Sequence, residues 1–154
     1  NQGDDHTCFI VRHAAARSGQ NGVGLLFQNN GGTAVGKIDF GHSTTQYRTS
    51  SDYRLKENAV SISDGISRLK TLKPYRFNWI AEKDQPKVDG FFAHEVTAVP
   101  ESISGTKDEV DSDNNPVYQS IDHSKLVPLL TAALQEAITK IETLEAKVTA
   151  LEGS

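Results

Sequence analysis

Ser51 and Lys56 stand five residues apart in the run Ser50-Ser51-Asp52-Tyr53-Arg54-Leu55-Lys56-Glu57-Asn58, and a serine with a lysine can cut a peptide bond. The serine hydroxyl is a poor nucleophile until a base removes its proton. A lysine is that base only when neutral, which takes burial or a neighbouring cation to lower its pKa from about 10.4. Arg54 is placed to be that cation, with Asp52 and Asn58 as further supporting groups. Attack by Ser51 on the carbonyl of Ser50 would give an ester that water then hydrolyses, so the scissile bond is Ser50–Ser51. On one helix the two side chains would lie roughly 140° apart, and an extended chain separates them further. The reading therefore needs a hooked turn, or a lysine from another subunit. The structural alternative is that Ser51 caps a helix and Lys56 is solvated.

The pair sits where the texture of the chain changes. Residues 1–50 read as short strands broken by glycine: Cys8–Val11, Val23–Phe27 and Val35–Phe40 are apolar runs. Asn29-Asn30-Gly31-Gly32 is a hairpin turn signal, because Asn and Gly tolerate positive φ. So few large apolar side chains cannot bury much area alone, but copies wrapped round one axis could share a core. The alternative for this stretch is a flexible linker with occasional strands.

After the motif, Ser63 or Asp64 can cap a short helix with Ile66, Leu69 and Leu72 on one side, ended by Pro74. Tyr75–Ile80 alternates as a half-buried strand, residues 85–90 make a turn, and Phe91–Ala93 returns as a buried strand. His94–Val99 starts a short helix that stops before Pro100. Residues 104–120 are polar and acidic and read as a protruding hairpin turning at Asp113-Asn114-Asn115-Pro116. Asp111, Asp113, Asn115 and Asp122 fall in a calcium-loop count, but Pro116 stands where that loop needs glycine and Asp122 where it needs glutamate. Turn chemistry accounts for them better.

The last segment, 124–152, predicts a long helix capped by Ser124, with Pro128 in its first turn or so and Gly153 ending it. Val127, Leu134, Ile141 and Val148 fall at one heptad position, and Leu130, Ala137, Leu144 and Leu151 at the other. This is a coiled-coil seam. Leu126, Leu129, Ala133 and Ile138 widen the stripe near the start, so the first half packs on its own domain and the second half is a bare oligomer seam. Lys140 with Glu145, and Lys147 with Glu152, have the spacing that pairs parallel neighbours. The residue types lean towards dimers.

Composition narrows the partners. A formal net charge of -4 argues against a broad basic surface for nucleic acid, and no long apolar run suggests a membrane span. The single cysteine, Cys8, has no intrachain partner, and His6, His13, His42, His94 and His123 lack ligand spacing, so no metal or cofactor is expected. The chain has no methionine and begins at Asn1, which reads as the end of a longer protein.

Three stretches in order carry a resemblance: Ser51-Asp52-x-Arg54-Leu55-Lys56-x-Asn58, then Leu72-Lys73-Pro74-Tyr75-x-Phe77-x-Trp79, then Gly90-Phe91-Phe92-Ala93-His94-Glu95-Val96. With the Leu-rich terminal helix, residues 51–154 resemble the C-terminal intramolecular chaperone domain of phage tail spikes and fibres, the endosialidase-type self-cleaving domain. Members of that family often carry glutamine where His94 stands. The resemblance implies an α+β domain that forms a homotrimer, overriding the dimer lean, and folds the β-rich shaft before it. It also implies self-release ahead of Ser51, and that residues 1–50 are the end of that shaft, of triple-stranded β structure. The domain would act in the host cytoplasm, the shaft in the virion. The alternative function is a permanent, non-cleaving trimeric tip that binds a host surface receptor.

Overall fold

The computed structural model describes residues 22–41 and 43–153, in two compact units that divide after Ala59. The strand expected at Cys8–Val11 lies outside the described residues, as do His6, His13 and His42.

The first unit is a three-stranded antiparallel sheet of β1 (Gly22–Gln28), β2 (Ala34–Phe40) and β3 (Thr45–Thr49), in that spatial order. The β1–β2 turn forms at Asn29–Gly32. Asn29 Oδ1 accepts the N–H groups of Gly31 and Thr33, both at 3.0 Å, and Gly32 has φ +76°, where a side chain would be strained. Thr45, Tyr47 and Thr49 are strand-forming types, but the run lacks the apolar character that marks β1 and β2, and no strand is expected there. β3 forms on the open edge of β2, in a register that sets Arg48 opposite Lys37 and Gln46 opposite Asp39. Asp39 is 3% exposed and lies 3.2 Å from both Lys37 Nζ and Arg48 Nε, so two cations offset the desolvation of one carboxylate. Val23, Leu25, Leu26, Phe27 and Tyr47 all remain exposed, so this sheet closes no apolar core of its own among the described residues.

The second unit mixes short strands with two helices, α1 (Gly65–Leu69) and α2 (Val127–Glu152, 26 residues). Its core is small: Val96, Val99, Leu126 and Leu129, with Leu72, Phe91, Ala98, Ile103 and Ile121 packed around them. Strand β4 (Tyr75–Phe77) pairs with β5 (Val88–Gly90). The strand expected over Tyr75–Ile80 therefore stops early, leaving Trp79 and Ile80 exposed. Phe91–Ala93 is not a strand. Arg76 grips Asp89 across the pair at 2.7 and 3.0 Å, which fixes the register on Val88–Gly90. Beyond it, hydrogen bonds from Glu95 N–H to Phe92 O and from Val96 N–H to Ala93 O coil the chain into a 3-10 turn, Ala93–Glu95, leading to buried Val96. In place of one helix up to Val99, a second 3-10 turn follows at Pro100–Ser102.

Strands β6 (Ile103–Ser104) and β7 (Ser120–Ile121) form the base of the acidic hairpin, and Val110 bridges to Pro116 further out. Every residue from Ser104 to Tyr118 is exposed, so the hairpin adds nothing to the core. At its turn Asp111 Oδ1 accepts the N–H groups of Asn115 and Asp113 at 2.9 and 2.8 Å, and the Asn115 N–H and side-chain amide, then the Asp113 N–H, hold its carboxyl below the ordinary value.

Both helix starts differ from the simplest expectation. A 3-10 turn, His123–Leu126, precedes α2, and its cap is Asp122, not Ser124. Asp122 Oδ1 accepts both the N–H and the hydroxyl of Ser124, at 3.0 and 2.6 Å, because an ionised carboxylate out-competes a hydroxyl as acceptor. Asp64 occupies the cap position of α1 but makes no side-chain cap bond. Instead Glu136 of α2 reaches across and accepts Ile66 N–H at 3.0 Å. The helices are close enough for this because Gly65 is buried against α2: a Cβ there would lie 2.5 Å from Ala133 N.

Candidate active site

Ser51 to Lys56 form a hook. Asp52 has extended backbone, accepts Arg54 N–H at 2.9 Å, and so caps a single 3-10 turn, Tyr53–Leu55. The N–H groups of Leu55 and Lys56 bond back to the carbonyls of Asp52 and Tyr53, both at 3.1 Å. Lys56 is extended again, and its Nζ donates to Ser51 Oγ at 2.8 Å. Two side chains that a regular helix or strand would hold apart are thus joined within one chain. Asn58, at φ +52°, bends the chain just beyond them, a conformation asparagine tolerates better than most residues.

Arg54 does not stand free beside Lys56 as the sequence suggests. Its Nε and Nη2 bind Asp52 Oδ1 and Oδ2 at 2.9 and 2.8 Å, so its charge is spent on Asp52. That grip, with the Arg54 N–H, holds the Asp52 carboxyl below its ordinary value. The pair stiffens the hook and leaves removal of water from the amine to something else. Ser51, Asp52, Arg54 and Lys56 are all exposed in the protomer.

Ser50 has a role the sequence reading did not give it. Its N–H donates to Val35 O at 3.0 Å and its hydroxyl to Ala34 O at 3.1 Å. Since Gly36 pairs with Thr49, Val35–Ser50 is the next rung of the β2–β3 ladder. The sheet therefore ends on the residue that owns the candidate scissile carbonyl. The signal lay in counting that register back from the turn closed by Gly41 N–H on Thr44 O, but it required knowing that β3 exists.

Along α2 and the turn before it, the widened stripe is buried only in part: Ile138, expected to pack on its own domain, is 45% exposed, because the packed face ends at Ala133. Leu126, Leu129 and Ala133 are buried, while Val127, Leu130, Leu134, Ile141, Leu144, Val148 and Leu151 are exposed and Ala137 is half-buried. Lys140, expected to reach a neighbouring helix, bonds Glu136 of its own helix at 2.8 Å. Among the described residues no group of three or more His, Cys, Asp or Glu side chains could hold a metal ion, and no helix is long and apolar enough to cross a membrane.

The hook opens a recognised segment. Residues 51–104 match the peptidase-class family described as chaperone of endosialidase. Over these residues, about a third of the chain, the protein is similar to the endosialidase chaperone family. The match starts on Ser51 and ends at the base of the hairpin, so the hairpin turn and α2 lie beyond the matched residues. No curated protein matches the chain.

Proposed function

We propose that this chain is the self-releasing end of a phage tail fibre or spike. Residues 51–154 trimerise through the α2 seam, guide the folding of the β-rich shaft that 1–50 ends, and then detach by one cut between Ser50 and Ser51. The observation that carries this reading is the 2.8 Å contact from Lys56 Nζ to Ser51 Oγ at the first residue of the family match. In the reaction Lys56, as a neutral amine, takes the Ser51 hydroxyl proton while Oγ bonds to the Ser50 carbonyl carbon. The C–N bond to Ser51 breaks, the proton passes to the departing amine, and an ester remains. Water hydrolyses it, leaving a carboxylate on Ser50 and restoring the Ser51 hydroxyl. Because both groups are solvated in the protomer, the exclusion of water that a lysine base requires is assigned to assembly of the trimer.

Intact mass and a denaturing gel of the chain made from refolded material test it. A fragment starting at Ser51, absent in Ser51→Ala and Lys56→Ala, is the expected outcome. A wild-type chain that assembles and never cuts would favour the second reading, a permanent receptor-binding tip. The same solvent exposure of the pair favours that reading if no assembly covers it.

A further inference from the structure

Resting on that reading, we propose that Ser50 is a positioning residue, whose hydroxyl ties the scissile carbonyl to β2 and so makes the rate of cleavage depend on β2–β3 pairing. The geometry is local and two-sided. Upstream of the scissile bond, Ser50 is fastened by its N–H to Val35 O at 3.0 Å and by its Oγ to Ala34 O at 3.1 Å. Downstream, Ser51 has left the sheet and is held by the hook through Lys56 Nζ at 2.8 Å. The peptide between them joins two separately anchored residues, with no free linker to absorb misplacement. A nucleophile that attacks the carbonyl immediately before it works through a small ring, where angular freedom is costly. The second tie on Ser50 removes freedom that the backbone rung alone leaves, because the last rung of a ladder frays. The hydroxyl also makes the site sensitive to the partner strand: if Ala34 and Val35 are not in register, neither tie forms. Ser50 does not touch the proton in flight, so it should set how often the carbonyl is presented and leave the titration of the base alone.

The experiment uses the whole chain, refolded by dilution from denaturant over a range of pH, with appearance of the 51–154 fragment followed on denaturing gels. Ser50→Ala should cut about fivefold more slowly at the high-pH plateau, the size of one neutral hydrogen bond, with the midpoint of the pH profile unmoved. Ser50→Thr keeps the hydroxyl and should recover the wild-type rate. Ser50→Val keeps the shape of threonine and favours a strand, yet should stay slow. Recovery by valine equal to that by threonine would show that strand propensity, not the hydroxyl, matters, and would overturn the proposal. So would a wild-type rate in Ser50→Ala, or a shifted midpoint in place of a lowered plateau. Failure of the underlying reading looks different: Ser51→Ala would still cut, or the wild type would never cut, and the proposal would fall with it.

Discussion

At the scale of the residue, the hook makes the Ser51–Lys56 pair possible, and one turn of 3-10 geometry is its whole cause. Asp52 serves that turn twice, accepting Arg54 N–H and binding the Arg54 guanidinium in a two-pronged contact. Lys56→Ala removes the only side chain bonded to the Ser51 hydroxyl among the described contacts, and cleavage should fall by at least about a hundredfold, within the usual range for loss of a general base. Lys56→Arg is the sharper test. Arginine keeps charge and reach but stays protonated throughout, so it should be as inactive as alanine. Efficient cutting by the arginine variant on a denaturing gel would end the assignment of Lys56 as base. The wild-type rate should rise with pH and then level off, since the neutral amine is the active form.

At the scale of the element, α1 is too short to be stable by itself and depends on α2 for both packing and its cap. Gly65→Ala would drive a Cβ into the backbone of Ala132 and Ala133 at 2.8 Å or less, and should cost about 2 kcal/mol or more in chemical denaturation. A variant with unchanged stability would show that the helices can part freely. Glu136 couples the same joint to pH. Ile66 N–H, and after it Lys140, hold its carboxyl below the ordinary value of about 4.5. A depressed folded-state value means that its stabilisation is complete above the unfolded value and is lost as pH falls through the folded one. Acid titration followed by circular dichroism should therefore show stability falling below about pH 4.5, with a shallower fall in Glu136→Gln. Much of this scale was legible in the sequence: the Asn29–Gly32 turn, β1 and β2, and the length of α2 all follow from local chemistry. What was not legible depends on distant partners. β3 is a polar run that only the edge of β2 makes a strand, the cap of α1 comes from 70 residues away, and Phe91–Ala93 looks like a strand until the Arg76–Asp89 pair sets the register. A hook was one of two ways the Ser51–Lys56 reading allowed, the other being a lysine from another subunit; its route through Asp52 and Arg54 was not legible, and neither was the tie on Ser50.

At the scale of the whole molecule, the proposed assembly makes its demands on the exposed hairpin and on the uncovered stripe of α2. Replacing Asp108–Tyr118 by a short Gly-Asn turn should leave the second unit folded, because none of those residues is buried, yet lower the yield of folded shaft when the upstream protein is present. Unchanged shaft yield would deny the hairpin a part in chaperoning. The stripe makes the stronger demand. Ile141, Leu144, Val148 and Leu151 are each at least half exposed, and since full burial is worth about 1.5–3 kcal/mol, sheltering the exposed remainder is worth roughly half of that or more apiece. Leu129 and Ala133, on the buried side of the same helix, and Leu126 in the turn before it are already committed to their own unit, so charges placed on the seam need not disturb the fold. Ile141→Asp combined with Leu144→Asp would put two carboxylates per chain into a closed seam, at a cost of several kcal/mol each. Light scattering should then report monomers, with the circular dichroism of the parent and a broken dependence of melting temperature on concentration. The parent should scatter as three chains. An unchanged mass in the double variant would mean that the chains are held elsewhere and that this stripe faces something other than its own copies. Two chains in the parent would instead return the seam to the dimer that its Val, Ile and Leu pattern favours.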